Sequence, residues 1–171
     1  MRKWENIPAF MQCNEVRVYY DILCNKRFSL LIKRILDIFF GIVVLVVTAI
    51  PMLIISFIII LESPGGVFYG KKFKIHKFRT MVANADKIGT SVTVSGDNRI
   101  TKVGNFLRKY RLDELPQVFD VLVGDMSFVG TRPEVTKYVE KYTSEMYSTL
   151  LLPAGITSNS SIKYKDEARL L

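Results

Sequence analysis

Apolar residues fall into two regimes along this chain. Residues 38–61 contain no charge and are dominated by Ile, Val, Leu and Phe. Elsewhere apolar positions recur singly, at helical or strand spacing, among many charges. The uncharged run has the length of a membrane helix, which needs about 20 apolar residues. It begins too far from Met1, and is too long, for a cleavable leader.

Two features argue against a simple span. Pro51 sits near the middle, where it removes a backbone donor and clashes with the preceding turn. Both flanks are basic: Lys26, Arg27, Lys33 and Arg34 precede the run, and Lys71, Lys72, Lys74, Lys77 and Arg79 follow it. Positive charge favours the cytoplasmic side at each end. A helix–break–helix hairpin over residues 31–62, kinked at Pro51, satisfies both flanks; a kinked straight span is the alternative. Asp37 lies within a turn of Lys33 and Arg34 and is expected to pair there.

After the run, residues 62–66 form a turn cluster and 67–69 predict a short strand. Residues 73–81 alternate aromatic and basic positions and are expected to lie along a membrane interface. Residues 84–98 read as a polar loop. Thr101 is an expected N-cap for a helix whose apolar stripe is Val103, Phe106, Leu107 and Tyr110.

The next helix is expected to be capped by Asp113. Glu114 and Leu115 open its first turn, where Pro116 is tolerated. Leu115, Val118 and Leu122 form its buried stripe, and Gly124 ends it. Residues 126–129 predict a strand, and 130–133 a turn presenting Arg132. Val135, Tyr138, Val139, Tyr142 and Met146 predict a further amphipathic helix from Glu134. The fold class is therefore mostly α with a few short strands. Residues 1–30 form an N-terminal segment, 31–62 the re-entrant hairpin, and 63–171 a small domain.

Charge sharpens this picture. The 171 residues carry 24 Lys+Arg against 16 Asp+Glu, a net charge of +8. That balance suits nucleic acid, anionic lipid or phosphorylated substrates. The apolar run favours lipid, and no nucleic-acid motif accompanies the basic stretch. Cys13 and Cys24 have no metal-site or redox spacing, which points to reduced thiols. His76, the single histidine, is expected to be a surface or packing residue.

The candidate chemistry lies at Asp113 and Glu114, with Arg108, Arg111 and Arg132 nearby in sequence. A helix cap and a first-turn acid explain the two carboxylates without any chemistry. The functional reading is phosphoryl transfer. A carboxylate can attack phosphorus to form an acyl phosphate, provided cations offset the charge. No GxxxxGK[ST] or GxGxxG motif supports a P-loop or Rossmann site.

Ordered motifs then carry a resemblance. Lys33-Arg34-Ile35-Leu36-Asp37, the Pro-broken apolar run, Glu62-Ser63-Pro64-Gly65, Lys77-Phe78-Arg79-Thr80-Met81 and Asp97 with Arg99-Ile100-Thr101 come first. Gly104 with Phe106-Leu107-Arg108, Leu112-Asp113-Glu114-Leu115-Pro116-Gln117, residues 124–130 and Arg132-Pro133 follow. From about Phe28 to Glu167 the chain resembles the bacterial sugar transferases, the monotopic polyprenyl-phosphate sugar-1-phosphate transferases.

The resemblance implies transfer of sugar-1-phosphate from a UDP-sugar to undecaprenyl phosphate, with release of UMP, to initiate a surface glycan. It implies Asp113 as nucleophile, Glu114 as Mg²⁺ ligand, and Arg108 and Arg132 as substrate phosphate contacts. It places a re-entrant hairpin in the bacterial inner membrane and a catalytic domain on its cytoplasmic face. Three departures stand out. Gly70-Lys71-Lys72 replaces a longer family insert, Thr131 replaces a usual Pro, and Ile50 precedes Pro51 where Ser is frequent. Relatives commonly continue past the position of Leu171, so residues 63–171 are expected to be a C-terminally shortened catalytic domain. The shortened insert also leaves open a non-catalytic membrane-attached relative that binds lipid or partner proteins. Neither the sugar nor the oligomeric state is legible.

Overall fold

The computed structural model describes residues 2–63, 66–69, 75–83, 85 and 97–163. The shortened insert at 70–72, most of the polar loop and the chain after Lys163 lie outside them. The described residues are mostly helical with short strands, as the sequence predicts. The chain forms two compact units. One comprises Met1–Phe39 with Val123–Leu171, the other Phe40–Leu122.

Helix α2 (Arg27–Glu62) runs from the first unit into the second and contains Pro51 within its length. It is long and apolar enough to cross a membrane. Val46, Val47, Ile50 and Leu53 are each 70–71% exposed, an apolar surface that water does not favour.

In the first unit, helix α1 (Asn14–Asn25) follows two 3₁₀ turns, Trp4–Asn6 and Ala9–Met11. Ile7, Met11 and Tyr20 form a small core with Trp4, Cys24, Tyr147 and Leu151 packed around it. The Tyr19 hydroxyl donates to Glu145 at 2.7 Å. Cys13 and Cys24 are free thiols, as their spacing implies.

Strand β3 (Met126–Val129) appears where predicted and pairs in parallel with β4 (Ala154–Thr157), a strand the apolar pattern did not reveal. Gly130 and Gly155 permit the close pairing beyond the ladder: a Cβ on Gly155 would fall 2.1 Å from the Gly130 nitrogen. Asp37 is buried and does pair, as expected. It accepts from Lys33 at 3.2 Å, from the Ser127 hydroxyl at 2.8 Å and from the Phe128 N–H at 3.2 Å. One carboxylate thus ties α2 to β3.

The helix expected from Glu134 to Met146 is a correction. Only Thr136–Val139 is helical (α5), and Met146–Leu151 is a 3₁₀ turn. Val135, Tyr138 and Met146 stay exposed, so no buried stripe supports a longer helix. Thr, Val and Tyr do not hold one by propensity alone. Helix α6 (Asn159–Lys163) follows β4.

In the second unit, Met52 and Ile59 of α2 pack with Phe78 and Leu107. Leu45, Ile55, Val103, Leu112 and Leu115 line this core. Strand β1 (Phe68–Tyr69) pairs antiparallel with β2 (Lys77–Phe78), Phe68 opposite Phe78 and Tyr69 opposite Lys77. This corrects the interfacial reading of residues 73–81 over their described part. Phe78 is 2% exposed, and the buried Arg79 donates to the Ser63 carbonyl. Strand alternation sends Phe78 into the core and Lys77 to the opposite face.

Helix α3 (Lys102–Lys109) starts as predicted, with Thr101 Oγ1 accepting from the Gly104 N–H at 2.9 Å. Glu62, the last residue of α2, accepts from the Val103 N–H at 3.2 Å. Two of the unpaired N–H groups at the helix start are thereby satisfied. Leu107 is buried and Val103 packs on the core. Phe106 and Tyr110, expected in the same stripe, are exposed and face each other at 4.9 Å. Eight residues offer room for only a narrow buried stripe, and Leu107 fills it.

Candidate active site

The chain reverses after α3 at Arg111, whose φ of 57° is left-handed. That conformation is uncommon outside glycine and stores strain at the step before the paired carboxylates. A 3₁₀ turn, Leu112–Glu114, follows, then helix α4 (Gln117–Val123). Gly124, at φ 104°, ends α4 as predicted.

Asp113 is not the helix cap the sequence suggested. It sits inside the 3₁₀ turn, with no capping side chain before it, and α4 begins only at Gln117. Pro116 and the 3₁₀ turn delay the helix, so the carboxylate is carried inward instead of back onto the first N–H groups. Asp113 is 8% exposed, and its Oδ1 is buried with no hydrogen-bond partner among the described residues. Such an atom is expensive to keep and rare in folded proteins without a purpose.

Lys77 reaches this turn from β2. Its Nζ lies 2.8 Å from Glu114 Oε1 and 3.9 Å from Asp113 Oδ2. Arg111 Nη1 approaches the same Glu114 oxygen at 3.9 Å. Burial pushes the Asp113 carboxyl above its ordinary pKa, and Glu114 adds to the rise; Lys77 and Arg108 pull it back. The nearby cations thus oppose the burial that disfavours the charged carboxylate.

Arg108 is set by its neighbours. Gly104 lies against the Thr80 backbone, where a Cβ would fall 2.0 Å from the Thr80 carbonyl oxygen. The Thr101 N–H also donates to that oxygen, at 3.1 Å. One turn after Gly104, Arg108 donates through Nε to Thr80 Oγ1 at 2.9 Å. Its charge favours the ionised forms of both Asp113 and Asp97. Asp97 is held at a pKa of about 2, chiefly by the Arg99 side chain, whose Nη2 lies 2.6 Å from it. Arg99 also donates to the Ala85 carbonyl at 3.1 Å. Asp97 also accepts the Arg99 N–H at 3.0 Å, closing a side-chain turn on its own backbone two residues on.

The second unit therefore gathers Asp113, Glu114 and Arg108. Arg132 belongs to the first unit, exposed on the segment after β3, and Pro51 is exposed within α2. Lys77, Thr80, His76 and Asp120 take a place near the carboxylate pair only in the folded chain. Lys77 and Thr80 stood inside a recognised motif, which was the available signal. The bond between His76 and Asp120 spans 44 positions and left no local trace.

The family model for bacterial sugar transferases matches residues 28–170. The chain belongs to the bacterial sugar transferase family. It is 43% identical over 126 residues to a Bacillus subtilis (strain 168) protein assigned provisionally as an undecaprenyl-phosphate N-acetylgalactosaminyl 1-phosphate transferase, covering 68% of this chain and 70% of that one. It is 39% identical over 134 residues to the UDP-N-acetylgalactosamine-undecaprenyl-phosphate N-acetylgalactosaminephosphotransferase of Aeromonas hydrophila, covering 71% of this chain and 32% of that one. The UDP-glucose:undecaprenyl-phosphate glucose-1-phosphate transferase of Escherichia coli (strain K12) is 42% identical over 144 residues, covering 77% and 31%. The match spans only about a third of the latter two relatives.

Proposed function

We propose that this chain transfers sugar-1-phosphate from a UDP-sugar to undecaprenyl phosphate, releasing UMP, through a covalent intermediate on Asp113. The observation that carries this reading is the buried, unpartnered Oδ1 of Asp113 beside Lys77 and Glu114.

The Asp113 carboxylate attacks the phosphorus that bears the sugar. The bond between that phosphorus and the bridging oxygen breaks, and UMP leaves with the electron pair. An oxygen of undecaprenyl phosphate then attacks the same phosphorus. The acyl-phosphate bond breaks and frees Asp113, leaving a lipid-linked diphosphosugar. Nucleophile and substrates are all anionic, so fixed cations matter most. Lys77 holds Glu114 and offsets the charge at Asp113, while Arg108 presents a guanidinium to phosphate. Arg132 is proposed as a second phosphate contact on the family resemblance alone.

Magnesium suits this donor set. It is commonly held by one or two carboxylates with substrate phosphates and water, without a full protein cage. Glu114 would supply the carboxylate, and Asp113 keeps its free oxygen for attack on phosphorus. Among the described residues no group of three or more His, Cys, Asp and Glu side chains forms such a cage. When bound, the metal would neutralise diphosphate charge.

The lipid acceptor agrees with α2. Its apolar exterior and doubly basic flanks support a re-entrant hairpin in the inner membrane, with the catalytic unit on the cytoplasmic face. The named sugars of the relatives differ, N-acetylgalactosamine in one and glucose in another. The test is UMP release by detergent- or nanodisc-solubilised protein with Mg²⁺, undecaprenyl phosphate and a panel of UDP-sugars. The expected result is release with at least one sugar. Silence across the panel by folded, membrane-bound protein would favour a non-catalytic relative.

A further inference from the structure

We infer that Asp120 is a positioning residue for the site lysine, acting through the main chain of His76; this rests on the proposed transferase reading. Asp120 lies on α4 and is 2% exposed. Both of its oxygens go to one residue. Oδ2 accepts the His76 backbone N–H at 2.8 Å, and Oδ1 lies 2.6 Å from His76 Nδ1. The ring itself is 54% exposed and packs edge-on to Phe68.

The next residue is Lys77, the cation that holds Glu114 and faces Asp113. Strand β2 is two residues long and pairs with a strand of equal length. Such a ladder is too short to fix position by itself. Lysine also has four rotatable side-chain bonds, so its Nζ is only as well placed as its backbone. The Asp120 carboxylate pins that backbone one residue upstream. It does so from the helix that follows the Asp113–Glu114 turn within three residues. Nucleophile and cation are thus referred to one rigid element.

A buried carboxylate is tolerated only when it is paired. Here the pairing includes a main-chain N–H that no side-chain substitution at position 76 can remove. The ring contact is the lesser part. The assignment therefore separates the two partners: losing the acceptor matters, and losing the imidazole matters little.

The experiment is steady-state UMP release by the full chain in nanodiscs, with thermal unfolding of each variant alongside. Asp120→Ala should lower kcat by about 100-fold, the order expected for a misplacement of about 1 Å, with KM for the UDP-sugar little changed. Asp120→Asn keeps an oxygen acceptor for the His76 N–H and should stay within about tenfold of the parent. His76→Ala should do the same. In a Lys77→Met background, Asp120→Ala should add no further loss, because both changes act on one group. Multiplying losses in the double variant would overturn the inference, as would a His76→Ala loss equal to that of Asp120→Ala. If Asp120→Ala does not fold, an Asp120→Asn loss of 100-fold in a protein that unfolds like the parent overturns it. A parent that releases no UMP with any sugar overturns the transferase reading, and this inference with it.

Discussion

Gly104 lies so close to Thr80 that a single added carbon would sit 2.0 Å from the Thr80 carbonyl oxygen. The contact is backbone against backbone, so no side chain can move aside. Gly104→Ala should therefore force α3 away from Thr80. The expected destabilisation is about 1–3 kcal/mol, seen as a lowered midpoint in thermal unfolding. Arg108 would lose its 2.9 Å bond to Thr80 in the same step, so activity should fall more than stability accounts for. An unchanged midpoint would show that the close approach is not needed.

Asp113 links stability to pH in the reverse of the usual carboxylate sense. Burial raises its pKa in the folded protein. The folded state therefore bears an added penalty once the group ionises. That penalty is absent below the unfolded pKa of about 3.9 and complete above the folded pKa. Asp113→Asn should raise the midpoint at pH 7, by about 2–4 °C for each kcal/mol relieved. The gain should shrink as pH falls toward 4. A gain that persists at low pH would assign the effect to packing.

Asp97 behaves oppositely. Its pKa of about 2 lies below the ordinary value, so its bonds with Arg99 stabilise the fold fully above about pH 4. The contribution is lost as pH falls toward 2. Asp97→Asn should lower stability at pH 7 and flatten the acid limb of the unfolding profile. A mutant whose profile overlays the parent's down to pH 2 would remove Asp97 from the account.

Lys77 should act on the chemical step. Lys77→Met keeps the length and apolar stem of the side chain and deletes the charge beside Glu114 and Asp113. Loss of one charge-stabilising donor typically costs about 10²–10³ in kcat. A change confined to KM would assign Lys77 to binding alone.

How much of this was legible in the sequence follows from range. The apolar run, the Thr101 cap, the Gly124 stop and the strand at Met126–Val129 rest on neighbours a few residues apart, and all were readable. So was the pairing of Asp37 with Lys33 one turn away, though not its bonds to Ser127 and Phe128. Strand β4 was missed because its parallel partner lies far upstream. Asp113 was misread as a cap because local rules see a carboxylate before a helix, whereas Pro116 and the 3₁₀ turn settle where it goes. The carboxylate pair itself was visible. Lys77, which faces it from β2, acquires meaning only in three dimensions.

The hairpin is testable by accessibility. Cys13 and Cys24 precede the apolar run, and Lys87 follows it. In sealed vesicles, a cysteine placed at Lys87 and one of the native thiols should label from the same side of the membrane. Labelling from opposite sides would establish a straight span.

The most direct test of the central claim is the covalent intermediate. The protein would be mixed with UDP-sugar labelled at the sugar-bearing phosphate, with Mg²⁺ and no lipid acceptor, then digested and mapped. Label is expected on the peptide that contains Asp113, with UMP released in equal amount and the label discharged when undecaprenyl phosphate is added. Asp113→Asn should acquire none. Turnover of the parent with no label on Asp113, or undiminished turnover by Asp113→Asn, would contradict the claim.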